Sequence, residues 1–346
     1  MPGNRGVRLF FILFFLIVIA GGIAAALVFY VNRAPAGISA EGAMFRVEEG
    51  ETVRSIADRL ENRGLVRSAL YLRILSRLKG SENAFRVGAY KILPGYTTAK
   101  IHDLLVSGRQ SLVRVTIPEG WTISRIAEEL QERGITTAEQ FSEAAHSAEM
   151  VNELFIPGDS VEGYLFPDTY FFPENHPAKA VIRTMVETFF ENLGEIQPDY
   201  ESWKRRDLHE SVILASIVER EYQVAEEARL IASVFVNRLR YNIGLESCAT
   251  LAYIITEIQG LPHPQYITQA DTTIDSPYNT YKWHGLPPGP ISNPGRIALD
   301  AAFHPAQTDY YYFLRKDAQS GEHYFSSDLE EHNEAKRYYL KGEPDL

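Results

Sequence analysis

The chain is 346 residues long, with 45% hydrophobic and 12% aromatic residues, the make-up of a globular chain with room for two or three domains. Its formal net charge of −11 gives no general affinity for nucleic acid or anionic lipid. The one cysteine, Cys248, excludes an intramolecular disulfide or a cysteine-based zinc site, and HExxH, Walker and GxGxxG patterns are missing, so nothing calls for a metal or a nucleotide cofactor.

Leu9 to Val31 is an unbroken run of 23 apolar or small residues. A membrane-spanning helix needs about 20 such residues, whereas a secretory signal has an apolar core of only about 7–15. The run is therefore expected to be a retained single-pass anchor at 9–31. Arg5 and Arg8 precede it and only Arg33 closely follows. The positive-inside rule then puts residues 1–8 in the cytoplasm and the bulk of the chain outside the membrane. A Pro/Gly/Ala linker is expected at 32–43.

An internal repeat comes next. Glu49 to Gly64 reads EGETVRSIADRLENRG and Glu119 to Gly134 reads EGWTISRIAEELQERG, with half of the aligned positions identical at an offset of 70. A weaker copy, GYTTAKIHDLLVSG, runs from Gly95 to Gly108. In each, a Gly turn leads to a Thr placed to cap a helix, Ile, Ala and Leu recur on one helical face, and a Gly ends the helix. Short β-type runs, Met44–Val47 and Leu112–Ile117, precede two of them. The strand–Gly–x–Thr–helix unit resembles the LysM module, which binds N-acetylated cell-wall sugars. The plainer reading is a structural repeat. Between the copies, Ser68 to Leu78 reads as an amphipathic helix and Gly88–Lys91 as a strand. The repeat region is bounded at 44–150, and a mixed α+β domain is expected over 151–346.

In that domain, EGYLFPDTY (Glu162–Tyr170) packs aromatics around Gly and Pro, which suggests a rigid loop or edge strand. Val181 to Leu193 reads as a helix. His209 to Leu239 then reads as a helical hairpin, with Ser211 as N-cap and a nearly continuous apolar run from Val212 to Val218. Glu219 falls at the end of that run, with Ala215, Ser216, Tyr222 and Gln223 on its face. Burial raises the pKa of a carboxyl group, so Glu219 is a candidate general acid; the alternative is that it opens a solvated face with Arg220 and Glu221. Leu245–Leu251 and a short helix to Glu257 follow. DSPYNTY (Asp275–Tyr281) and GLPPGPISNPG (Gly285–Gly295) form a long loop held in one shape by its prolines. A helix begins at Ile297, and Tyr310–Leu314 is expected to pair with Gly321–Ser326. His323, Glu331 and His332 have no recognised metal-ligand spacing.

Taken in order, the paired EG-x-T repeats, EGYLFPDTY, ILASIVERE, ASVFVNRL, DSPYNTY, GLPPGPISNPG and HYFSSDLEEHN resemble the MltG (YceG-like) family of endolytic murein transglycosylases over about residues 44–340. The resemblance implies an α+β fold with a membrane anchor, a LysM-like region and a catalytic domain outside the cytoplasmic (inner) membrane. It implies cleavage of nascent peptidoglycan glycan strands between N-acetylmuramic acid and N-acetylglucosamine, leaving a 1,6-anhydromuramyl end and terminating strand growth. Cell-wall synthases are implied as neighbours. The family's catalytic glutamate lies in its A-S-I-V-E block, which is Glu219 here. Many members carry Q-S-D-P-T where this chain has Glu246-Ser247-Cys248-Ala249-Thr250, so Cys248 is expected to be a small packed residue and not a nucleophile. Glu246, Tyr278, Asn279 and Tyr281 are the candidates for holding the glycan, with Glu162 and Tyr170 as outer support. A hydrolytic muramidase with a second carboxylate, and a non-catalytic glycan-binding anchor that recruits synthases, are the rival readings.

Overall fold

A computed structural model of the chain describes residues 4–35, 38, 42–108, 112–317 and 320–339. Parts of the expected linker, residues 36, 37 and 39–41, lie outside the described residues. The chain divides into two compact units. One runs up to Val113 and adds Pro173–Asn175; the other comprises Arg114–Phe172 and the chain from His176 onward. The fold is mixed α+β, with helices predominating and three separate two-stranded sheets among the described residues.

The first unit opens with α1 (Asn4–Asn32). Within it Leu13–Asn32 has a mean hydropathy of 2.6 and no buried residue, and the helix is long and apolar enough to cross a membrane. Strands β1 (Ala43–Val47) and β2 (Gly88–Ile92) pair antiparallel, with Phe45 opposite Tyr90. Helices α2 (Val53–Asn62), α3 (Ala69–Leu78) and α4 (Thr98–Ser107) pack with them around a core containing Phe45, Ile56, Leu60, Leu72, Tyr90 and Ile101.

The second unit takes all but the first two residues of β3 (Leu112–Thr116) and all but the last of β4 (Thr169–Pro173), two strands of one sheet, with α5 (Ile123–Glu132), α6 (Ala138–Ala145) and α7 (Ala148–Glu153) between them in sequence. It continues with α8 (Ala178–Ile196), α9 (Arg205–Glu221), α10 (Ala228–Arg240) and α11 (Cys248–Tyr253), the last extended by a π turn at Ile254–Ile258. A long coil leads to α12 (Arg296–Phe303), then to the antiparallel pair β5 (Tyr312–Arg315) and β6 (His323–Ser326), and to α13 (Leu329–Tyr339).

The repeat grammar works as its residues suggest. Thr52, Thr97 and Thr122 each cap a helix, their side chains accepting from Ser55 N, Lys100 N and Arg125 N. Helices α2 and α5 end alike. Gly64 N–H donates to Glu61 O and Leu65 N–H to Leu60 O, and the same pair of bonds joins Gly134 to Gln131 and Ile135 to Leu130. That double closure needs a left-handed residue after the helix, and both glycines supply it with φ of 66° and 69°. The copies part company in their surroundings: α2 belongs to the first unit and α5 to the second. The expected division near residue 150 therefore runs through the second unit.

Candidate active site

Helix α9 carries the site. Val212, Ile213, Leu214, Ala215, Ser216, Ile217 and Val218 are all buried, a full circumference wrapped by neighbouring elements that include α10 and α12. The helix starts at Arg205, with Lys204 as N-cap, so Ser211 does not cap it. Ser211 lies in the second turn and its hydroxyl donates to Asp207 O at 3.1 Å. Apolar periodicity marks only the buried part of a helix, and the preceding turn, Arg205–Glu210, is mostly charged.

Glu219 occupies the last turn of α9, where burial gives way to partial exposure. Its Oε2 accepts the Gly295 N–H at 2.9 Å. Burial pushes its pKa up to about 8, with the Glu119 carboxylate adding in the same direction and the Gly295 bond and Arg220 opposing. The carbonyl end of a helix disfavours an anion as well. At neutral pH Glu219 therefore holds a proton. Gly120 flanks the other oxygen: a Cβ built there would lie 3.8 Å from Oε1.

Two loops close around this carboxyl group. The Glu119–Trp121 turn and the Asn293–Gly295 segment lie side by side, Gly120 N–H donating to Asn293 O and Asn293 N–H to Trp121 O, each at 2.9 Å. Arg220 Nη1 donates to Gly120 O at 3.1 Å, so α9 grips the first loop. Ser216 grips the second, its hydroxyl accepting the Ile291 N–H and its carbonyl the Ser292 hydroxyl, both at 3.0 Å. The Glu119 side chain lies against Gly295, in the space a Cβ there would take. Tyr222, three residues after Glu219, keeps its phenolic proton because it is desolvated and because Glu219 and Glu119 lie near it.

Glu119 is a neighbour of Glu219 that sequence reading missed. It stands in the second EG-x-T repeat, assigned there to a sugar-binding region, whereas the fold lays its carboxylate on Gly295 beside Glu219. The identity of the EG pair at Glu49 and Glu119 was the available signal. It disguised the difference, since only the second copy belongs to this unit.

The candidate glycan residues separate into two groups. Glu162, Tyr170 and Asn279 are buried with their polar atoms engaged inside the fold. Glu162 accepts the Ile123 N–H at 3.0 Å and Asn293 Nδ2 at 2.6 Å, and burial lifts its pKa to about 8. It is thus joined to Glu219 through the loop that Asn293 and Gly295 share. Tyr170 donates to Phe166 O at 2.6 Å. Asn279 Nδ2 donates to Thr272 O and Ile274 O, and its Oδ1 accepts from Tyr281 N, which shapes the DSPYNTY loop.

Glu246, Tyr278 and Tyr281 retain exposed surface. Glu246 adopts a left-handed φ of 52° and pairs with Arg238 Nη1 at 3.2 Å. The Tyr278 ring lies 5.1 Å from that of Tyr253. Tyr281 Oη lies 3.1 Å from Cys248 Sγ. Cys248 departs from expectation: it is exposed, because it stands at the first position of α11. Although the residue reaches solvent, packed neighbours partly desolvate the thiol and Glu221 lies near it, and both raise its pKa, the opposite of what activates a nucleophile. A further acid, Glu221, takes the Ser247 hydroxyl at the start of α11, and burial raises its pKa. The three residues considered for a metal have separate partners: His323 Nδ1 is 2.8 Å from Glu227, Glu331 accepts the Tyr324 hydroxyl at 2.8 Å, and the His332 ring stacks on Tyr312.

A model of the YceG-like family matches residues 45–338. A Bacillus subtilis (strain 168) protein named endolytic murein transglycosylase is 30% identical over 312 residues, which is 85% of this chain and 84% of that protein. A Streptococcus pneumoniae serotype 2 protein of the same name is 30% identical over 316 residues, covering 83% of this chain but 56% of the longer relative. A crystal structure of a yceG-like protein from Listeria monocytogenes superimposes with a TM-score of 0.57 at 29% identity, over 86% of this chain and 99% of that one.

Proposed function

The chain belongs to the YceG-like family, and we propose that it is an endolytic murein transglycosylase, a lyase, in which Glu219 is both the acid and the base. One observation carries this reading: a carboxyl group at the edge of a buried helix, with a pKa of about 8 and its orientation fixed by the Gly295 N–H. Such a group is protonated when substrate arrives.

Glu219 gives its proton to the oxygen bridging N-acetylmuramic acid and N-acetylglucosamine. The C1–O bond breaks through an oxocarbenium-like state. The carboxylate left behind then takes the proton of the muramyl C6 hydroxyl, whose oxygen closes on C1 of the same sugar. The products are a free N-acetylglucosamine end and a 1,6-anhydromuramyl end, no water is consumed, and Glu219 ends as it began. The nucleophile is already in the substrate, so positioning replaces part of what a second catalytic group would supply. The Gly295 N–H stabilises the carboxylate between the two proton transfers. Glu246, Tyr278 and Tyr281 are the proposed glycan contacts, while Glu162, Asn279 and Tyr170 hold the loops that present them. Cutting within nascent strands would terminate their elongation, next to the synthases that make them. In this reading α1 anchors the protein in the cytoplasmic membrane with its N-terminus inside, and the LysM-like unit contributes glycan affinity.

The Glu119 carboxylate favours one alternative, a hydrolytic muramidase in which it would take a proton from water as the second carboxylate. Mass spectrometry of the products separates the two. Anhydromuramyl ends are expected; ends heavier by one water would assign the reaction to hydrolysis.

A further inference from the structure

We infer that α3 is a membrane-surface helix, whose Leu70, Ile74 and Leu78 face is seated in the headgroup boundary of the bilayer that α1 crosses. The inference rests on the anchoring role of α1 and goes beyond it.

Helix α3 is apolar on two sides. Ala69 and Leu72 enter the core of the unit. Leu70, Ile74 and Leu78 recur every fourth residue on another side and are 58%, 48% and 80% exposed. Spacing of four keeps the three on one stripe along the helix. Isolated exposed apolar residues are ordinary in a soluble domain, but a full-length stripe on one helix marks a surface that meets another phase or partner.

The bilayer is the occupant because of where the stripe begins. The end of α1 is bonded into this unit: Thr98 Oγ1 donates to Val31 O at 3.2 Å, and Asn32 Oδ1 accepts the Ala99 N–H at 2.9 Å at the start of α4. Arg67, one residue before the Ser68 cap of α3, donates to Ala34 O at 3.2 Å and lies 4.9 Å from the centre of the Tyr30 ring. The first turn of α3 is thereby fixed at the level where α1 leaves the membrane, and Leu70 follows within a turn.

Charge agrees. From Leu65 to Lys79 the chain has four basic residues and no acidic one, although the whole protein carries −11. Lys79 is paired with Asp103 at 2.6 Å, and Arg73 and Arg77 lie between the members of the apolar stripe along the helix. An amphipathic helix with arginines beside its apolar face suits the acyl–headgroup boundary, its side chains reaching up to lipid phosphates.

The test uses the full chain in liposomes of phosphatidylethanolamine and phosphatidylglycerol, in a Cys248→Ser background. Spin labels are placed through Ile74→Cys and Leu78→Cys, with Arg54→Cys on α2 as the aqueous control and Val18→Cys on α1 as the control for the span. Collision with lipid-soluble oxygen and with a water-soluble nickel chelate is measured at each. The ratio of oxygen to nickel accessibility at 74 and 78 is expected to exceed that at 54 several-fold. A lipid-like signal at 18 with water-like signals at 74 and 78 would overturn the seated face and leave the anchor standing. A water-like signal at 18 would remove the anchor and the seated face together. Exclusion of both reagents at 74 and 78 would show a protein partner or a second copy on the stripe, and would equally overturn the proposal.

Discussion

Glu162 offers a quantitative check on the buried acids around the site. Its pKa of about 8 stands well above the ordinary carboxyl value of 4.5, and burial is the main cause. A group bound more tightly to its proton in the folded state contributes stability that is complete below its unfolded pKa and is lost as pH rises toward the folded one. The window is therefore about pH 4.5 to 8, and between pH 5 and pH 8 the loss from this single group is on the order of 3 kcal/mol. Glu162→Gln is nearly the shape of the protonated acid. Its amide oxygen, placed where Oε1 now lies, can still accept from Ile123 N and Asn293 Nδ2, the partners held there at 3.2 and 2.6 Å. The variant is expected to match the parent at pH 7 or exceed it, and to lose less stability as pH rises. Urea unfolding read by tryptophan fluorescence fits the purpose, because Trp121, Trp203 and Trp283 all lie in the second unit. The difference between the two proteins at each pH isolates Glu162 from Glu219 and Glu221, whose raised pKa values act in the same direction. Parallel pH curves for parent and variant would show that Glu162 is not held neutral and refute the reasoning.

Two further changes act on Glu219 itself. Glu119 raises the Glu219 pKa, so Glu119→Gln should move the alkaline limb of kcat/KM to lower pH; an unmoved limb would separate the two carboxylates. Gly295→Ala drives a Cβ into the Glu119 carboxylate, the free end of an exposed side chain, which must swing away from the loop. The alkaline limb of kcat/KM should then move in the same direction as in Glu119→Gln with kcat close to parental, and an unmoved limb would show that Glu119 does not act on Glu219 from this place.

Much of this architecture was legible in the residues. The Thr caps and Gly stops of the repeats, the apolar span of α1, the hairpin of α9 and α10, and the pairing of β5 with β6 all follow from local chemistry. The start of α9 was not, because the turn before Ser211 is charged and carries little apolar period. Glu119 was not, because its place beside Glu219 arises from a loop–loop contact with Gly295, 176 residues further along the chain. Asn279 and Tyr170 looked like ligands for sugar because polar and aromatic side chains on a stiff loop serve binding or bracing equally well. Their hydrogen bonds to backbone atoms decide for bracing.

The central claim is that one carboxyl group, kept protonated by its surroundings, both delivers and recovers the proton of glycan cleavage. Purified strands incubated with the full-length Glu219→Gln protein test it most directly, with folding verified alongside. The amide keeps the shape and can still accept the Gly295 N–H, but it has no acidic proton to give. Strand length is expected to remain unchanged while binding persists; shortening at the parental rate would contradict the account.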